Sequence, residues 1–313
     1  MDTSRDTGAR SRHEIWVRLL LYPSHTLPTA AAPVIVAVGL AVHDHVFMPV
    51  PVIVAFLASW LIHVAGLFVD NHELLARHPH LPEHPELLGA LQNGTLTFAG
   101  LRWAAIACLV AAALTGPYLL QVAGPPVIWL GIVGIASSLG YALGGPFSQV
   151  RLGIADPVFL FMFGSVAVAG AYYVQAVPAG AAQAWPFAAW VVGLPVGALV
   201  TNVLLIDDIR DHEFDAKKGW RTGPVRFGLA WTRSELVGLA ALAYAMPLWL
   251  WLGLGFSPWV LLVWLTLPEA VTVARIVCTT ERFETLFPMT PRAARLALDY
   301  SVLLAIGLAV FTT

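Results

Sequence analysis

Apolar residues fill this chain in long runs, and polar residues gather in the stretches between them. Runs long enough to cross a bilayer core of about 30 Å recur at 16–41, 49–70, 97–116, 125–143, 156–176, 185–207, 232–253, 258–278 and 293–312. Lipid offers no hydrogen-bond partner, so a spanning run must satisfy its own backbone, and a helix does this within one segment. The pattern predicts an all-α polytopic membrane protein of about nine transmembrane helices. Pro23 and Pro28 are expected to bend the first helix, and Pro195 and Pro247 to kink the sixth and seventh. Residues 1–14, MDTSRDTGARSRHE, are expected to form a mobile cytosolic segment ahead of one transmembrane domain, 15–313. No short apolar core with a small-residue cleavage site follows them, so no cleaved signal peptide is expected.

Composition agrees. Only 12% of residues are charged, against about 25% in soluble domains. The net charge of −2 and the lack of a basic tail give no sign of a nucleic-acid partner. Cys108 and Cys278 fall in apolar runs, where free cysteine behaves as a small hydrophobe, so neither disulfide nor metal thiolate is expected.

The charges set the topology. Cytoplasmic loops collect lysine and arginine. All 17 basic residues fall on one side of the expected spans. They precede or open span 1, or lie between or beside spans 2 and 3, 4 and 5, 6 and 7, and 8 and 9. The loops near 42–48, 117–124, 177–184 and 254–257 contain none. The amino terminus is therefore expected inside and the carboxyl terminus outside.

The chemistry concentrates at 201–222, TNVLLIDDIRDHEFDAKKGWRT. Asp208, Asp211 and Asp215 stand at i, i+3 and i+7, on one helical face, with Asp207 flanking it. Like charges this close repel unless cations sit among them. Mg²⁺ suits such an oxygen site, typically taking one or two carboxylates plus substrate phosphates. Lys217, Lys218 and Arg221 follow directly and suit the remaining charge of a phosphate. The plainer reading is a solvated mixed-charge loop. Four aspartates at helical spacing, at the cytoplasmic end of a span, favour the metal site.

A second acidic site ends span 2, where Asp70 and Glu73 are i, i+3, with Asn71 and His72 between them. His78, His80 and His84 follow in a proline-broken segment without regular zinc spacing, and read as hydrogen-bonding filler. The two acidic sites are four spans apart, which suggests two four-helix halves facing each other, plus a ninth helix. A third inside loop, GYALGGPFSQVRLGIADP, brings Tyr141, Arg151 and Asp156 to the same side. His63, within span 2, reads as an interhelical hydrogen-bond partner. Glu269 follows Pro268 and is expected to bond backbone freed there; neither it nor Asp299 reads as catalytic.

The segment IDDIRDHEFDAKKGWRTGPVRFG resembles the second aspartate motif of the UbiA superfamily of membrane prenyltransferases, most closely its 1,4-dihydroxy-2-naphthoate polyprenyltransferase branch. That branch carries Asn-Asn-x-Arg-Asp-x-x-x-Asp, then Gly-Lys-x-Thr. Arg210, Asp211, Asp215, Gly219 and Thr222 match it; Asp207 and Asp208 replace the asparagines, and Trp220 replaces the lysine. FVDNHELL resembles the first motif, Asn-Asp-x-x-Asp, with Val69 for the asparagine and Glu73 for the second aspartate. PEHPELLGAL and FGSVAVAGAYYVQ also look like that branch.

The resemblance implies a transferase in the membrane: a prenyl diphosphate bound through Mg²⁺ at the two acidic sites, an aromatic acceptor, and a place in menaquinone-like quinone or meroterpenoid synthesis. It implies Asp70, Glu73, Asp208, Asp211 and Asp215 as metal ligands. Arg151, Arg210, Lys217, Lys218 and Arg221 are candidate diphosphate contacts, and Asn71, His72, Tyr141, Asn202 and Asp207 candidate pocket residues. A bacterial inner-membrane location with the site facing the cytoplasm is expected. One alternative is a UbiA-type terpene cyclase, ionising the same substrate without an acceptor. A more distant one is a cation-coupled transporter, although transporter sites usually lie at midplane rather than at the membrane edge.

Overall fold

The computed structural model describes Trp16 and residues 26–78, 85–144, 148 and 154–309. All regular structure among the described residues is helical. The long helices are α1 (Thr26–His43), α2 (Pro49–Arg77), α3 (Phe98–Ala123), α4 (Pro126–Ala142), α5 (Ala155–Ala176), α6 (Phe187–Lys218), α7 (Leu229–Leu254), α8 (Pro258–Thr279) and α9 (Met289–Ala309). Short helices Pro85–Gln92, Gly223–Phe227 and Phe283–Leu286 occupy connections. Among the described residues, 7 helices are long and apolar enough to cross a membrane. The other two long helices are α4, with 17 residues, and α9, which carries Arg292, Arg295 and Asp299. At 1.5 Å per residue α4 is about 25 Å long, just short of a bilayer core.

Pro28 and Pro195 behave differently from the expectation. Pro28 sits in the first turn of α1, where no intrahelical N–H is lost, and Pro33 is the interior proline. Pro23 lies outside the described residues. In α6 the helix stops after Val191, and Pro195 opens the segment Leu194–Lys218. There the proline restarts a helix, because its fixed φ suits the first turn. Pro247 lies inside the unbroken α7.

α1 packs on α2, α5 and α9, α2 on α3 and α4, and α6 on α5, α7 and α9. The ring closes through α9, which packs on α1, α6 and α8. α6 is enclosed along most of its length. Its contact with α5 is unusually close: a Cβ on Gly197 would stand 2.9 Å from the Cα of Gly164, and one on Gly164 would stand 2.7 Å from the Gly193 carbonyl oxygen. Small residues let membrane helices approach in this way. Around Gly164, facing Gly193 and Gly197, α5 widens into a π-helical stretch, Leu160–Val166.

Buried phenols lock the remaining layers. Tyr300 donates to the Ala243 carbonyl at 2.6 Å, tying α9 to α7, and Tyr173 donates to the Ala123 carbonyl at 2.5 Å, tying α5 to α3. Tyr172 donates to Asp44 Oδ2 at 2.6 Å, joining α5 to the turn after α1. The intramembrane acids are paired. Glu269 forms a forked ion pair with Arg292 instead of bonding freed backbone, with Arg292 Nη2 donating to Oε2 at 2.8 Å. Asp299 faces Arg295 one turn away, at 3.6 Å.

Candidate active site

α6 runs without interruption from Leu194 to Lys218, so the four aspartates lie on helix, as their spacing requires. Asp208 and Asp215 are buried, at 4% and 3% exposure, and Asp207 and Asp211 are half-buried. Carboxylates this enclosed need partners. Arg210 supplies a fork: Nε donates to Asp211 Oδ1 at 2.8 Å and Nη2 to Asp211 Oδ2 at 2.6 Å. Its Nη1 lies 2.5 Å from Asp207 Oδ1. Thr290, at the start of α9, donates to the same Asp207 oxygen at 2.5 Å. Lys218 Nζ stands 3.5 Å from Asp215 Oδ1. A planar guanidinium matches a carboxylate with two parallel hydrogen bonds, so Arg210 is suited to bracing this face.

α2 carries the second acidic pair, extending past the apolar run to Arg77. Glu73 accepts from Arg77 Nη2 at 2.7 Å and Nε at 3.0 Å, and lies 3.2 Å from His72 Nδ1. Asp70 is half-buried and within electrostatic reach of Lys218 on α6 and of Glu73. The Tyr141 hydroxyl, at the end of α4, sits in the combined field of Asp70, Asp207, Asp208 and Asp215. The two acidic motifs, far apart in sequence, thus converge on one place.

Other expected residues are distributed around it. Lys217 and Arg221 are exposed. His72 packs edge-on to Phe98. Asn71 turns back to the Leu67 carbonyl at 2.9 Å, and Asn202 donates to the Leu236 carbonyl on α7 at 3.1 Å. Asn202 therefore faces the α6–α7 interface. Asp156 opens α5 and is electrostatically coupled to Glu235 of α7. Arg151, His80 and His84 lie outside the described residues. From Tyr141 an aromatic line runs through Phe159 at 5.4 Å and Phe163 at 5.1 Å to His63 at 5.4 Å. His63 lies seven residues before Asp70 on α2, the same face about 10 Å along the axis.

The contacts of Thr290 and Trp220 were not legible in the sequence. Thr290 reaches Asp207 from 83 positions away. Trp220 covers Lys218, with Nζ 4.4 Å from its ring centroid, and meets His78 at 6.1 Å. Nothing in local spacing marks these contacts. The departure from the family pattern at Trp220 was the one available signal.

Residues 32–282 match the UbiA prenyltransferase family. The chain belongs to that family. Membership makes it a prenyltransferase, an enzyme and not a transporter, and with its apolar helices an integral membrane protein. Relatives of this UbiA chain include 1,4-dihydroxy-2-naphthoate octaprenyltransferases. That of Escherichia coli is 28% identical over 315 residues, covering 95% of this chain and 96% of the relative. That of Haemophilus influenzae is 26% identical over 303 residues, covering 91% and 93%. Among solved structures, digeranylgeranylglyceryl phosphate synthase superposes with a TM-score of 0.57 at 14% identity, over 96% of this chain and 99% of that one. A UbiA homologue from Archaeoglobus fulgidus bound to DMAPP and Mg²⁺ gives 0.51 at 14% identity, over 92% and 99%. These two likenesses establish the shared fold.

Proposed function

We propose that this UbiA-family enzyme transfers the prenyl group of a prenyl diphosphate to a carbon of a hydroxynaphthoate-like acceptor, in menaquinone-type quinone synthesis. The observation that carries the reading is the convergence of the ends of α2 and α6: His78, which caps α2, meets Trp220 just past α6 at 6.1 Å, and Trp220 covers the Lys218 that pairs with Asp215. The naphthoate acceptor is drawn from the relatives' names.

The donor set suits Mg²⁺. Among the described residues no three His, Cys, Asp or Glu side chains form a ready-made metal shell. The carboxylates come instead from facing helices, and Mg²⁺ commonly takes one or two carboxylates and completes its shell with substrate phosphates and water. Asp70, Glu73, Asp208, Asp211 and Asp215 are the proposed holders. When bound, the ion supplies neutralisation of the diphosphate's charge.

The chain's own residues then do the rest. Arg151, Lys217, Lys218 and Arg221 are placed by sequence to meet the diphosphate, and Arg210 braces Asp207 and Asp211. The prenyl C–O bond breaks with its electron pair leaving on diphosphate. An electron-rich ring carbon forms the new C–C bond and loses its proton. Tyr141, Phe159 and Phe163 line the descent from the acids, where aromatic faces shield a developing allylic cation. The surrounding apolar helices exclude the water that would quench it. The prenyl tail lies among these helices or in lipid.

The one-sided distribution of basic residues along the sequence supports nine crossings with the amino terminus and the site in the cytoplasm and the carboxyl terminus outside, in a bacterial plasma membrane. The test is purified enzyme with Mg²⁺ and farnesyl, geranylgeranyl or longer prenyl diphosphates, with and without 1,4-dihydroxy-2-naphthoate. Pyrophosphate release that requires the acceptor and yields a prenylated naphthalene product supports the reading. Acceptor-independent release giving a hydrocarbon or terpene alcohol overturns it in favour of cyclisation. Chelation by EDTA is expected to lower the acceptor-dependent rate at least about a hundredfold, with excess Mg²⁺ restoring it. A rate indifferent to EDTA would remove the metal from the proposal.

A further inference from the structure

The end of α6 is built to place one aromatic ring. Gly219 caps the helix in the left-handed conformation, at φ +74°, which glycine adopts without the penalty of a Cβ. The Trp220 N–H then turns back to the Asp215 carbonyl at 2.9 Å, and the Gly219 N–H to the Ala216 carbonyl at 3.2 Å. This closure lays the indole face against the Lys218 ammonium, 4.4 Å from its centroid. The other side of the contact is His78, the residue that caps α2, with ring centroids 6.1 Å apart. Trp220 thus reaches from the end of one acid-bearing helix to the end of the other. Lys218 beneath it is paired with Asp215 and lies within reach of Asp70.

We propose that Trp220 is a positioning residue for diphosphate recognition: its ring holds the Lys218 ammonium at the junction of the two acidic helices, where that cation meets the diphosphate. The inference rests on the proposed reading of this junction as the diphosphate pocket. A flexible lysine loses rotamer freedom when it binds an anion, and a ring that restrains it beforehand removes part of that cost. The polarity of the choice is also physical. An ammonium at position 220 would repel Lys218, whereas the indole's negative face attracts it. His78 links the arrangement to α2, so Lys218 is held relative to both acidic motifs.

The experiment compares full-length wild type, Trp220→Ala, Trp220→Leu, Trp220→Phe, Lys218→Met and the Trp220→Ala/Lys218→Met double variant in detergent. It reads KM and kcat for geranylgeranyl diphosphate at saturating acceptor, and the calorimetric Kd for inorganic pyrophosphate with Mg²⁺. Trp220→Ala and Trp220→Leu are expected to raise KM and Kd about tenfold, with a smaller change in kcat. Leucine keeps apolar bulk without the ring face, so it separates recognition from packing. Trp220→Phe should stay within about threefold of wild type. The double variant should bind no more weakly than Lys218→Met alone, since one contact cannot be lost twice.

Unchanged KM and Kd in both the alanine and leucine variants overturn the proposal. So does a leucine variant that matches phenylalanine, or a double variant with additive losses. The pyrophosphate arm does not depend on the transferred group. A wild type that binds Mg²⁺–pyrophosphate but transfers no prenyl chain refutes the functional reading, while the same series of Kd values still judges Trp220.

Discussion

Asp211→Ala and Asp215→Ala are each expected to lower prenyl transfer by about a thousandfold or more, equivalent to roughly 4 kcal/mol of transition-state stabilisation. Both carboxylates belong to the acidic stretch of α6, and both are candidate holders of the ion that neutralises the departing diphosphate. The fold should survive the changes, and the ion pairs say why. Removing Asp211 leaves Arg210 with Asp207 and Thr290. Removing Asp215 leaves Lys218 against Trp220 and within reach of Asp70. Neither cation is left without a partner, so the heavier cost of an uncompensated buried charge does not arise. Turnover assays should be read beside detergent-solubilised yield and thermal unfolding. A variant with a normal melting profile and no turnover is the expected result, and near-normal turnover in either variant would remove these acids from the chemistry.

Gly197→Leu is expected to have the opposite signature, a protein that fails to assemble. Its Cβ would meet the Leu160 carbonyl oxygen and would approach the Gly164 Cα to 2.9 Å. Those neighbours are backbone, so no rotamer change relieves the clash. Overpacking in a core usually costs about 1–3 kcal/mol, and more where backbone must move. Net stabilities of about 5–15 kcal/mol leave little margin for separating two central helices. The damage would reach the site as well. Gly197 and Asp208 are eleven residues apart on α6, about three turns, so a shift of the α5 contact carries the acidic face with it. Gly197→Ala should be milder but still lower the melting temperature by several degrees. Folded, stable Gly197→Leu protein in a monodisperse detergent peak would show that the α5–α6 contact is not a constraint.

Much of the architecture was legible because a bilayer admits few solutions. A run of about twenty apolar residues has to satisfy its backbone internally, so each expected run met a helix, and 7 of these among the described residues are long and apolar enough to cross a membrane. Helical spacing likewise placed Asp208, Asp211 and Asp215 on a common stretch of α6, which the unbroken segment to Lys218 bears out. The prolines were less legible, because their effect depends on position within the helix. Pro28 and Pro195 lie in first turns, where the missing N–H has no partner to lose. Glu269 was read beside Pro268 as a backbone acceptor, yet took Arg292, 23 residues away. No periodicity encodes such a pairing.

The sequence by itself determined the helical membrane class, the likeness to UbiA enzymes and the two acidic stretches, because hydrophobic run length and helical spacing are local properties. Tertiary structure alone decided that α9 closes the ring, that glycines bring α5 against α6, and that Trp220 meets Lys218 at the end of α6 and His78 at the end of α2. These contacts join residues whose separation along the chain carries no periodic signal. They arise when helices choose neighbours by the fit of small residues and the pairing of charges in a medium that satisfies neither.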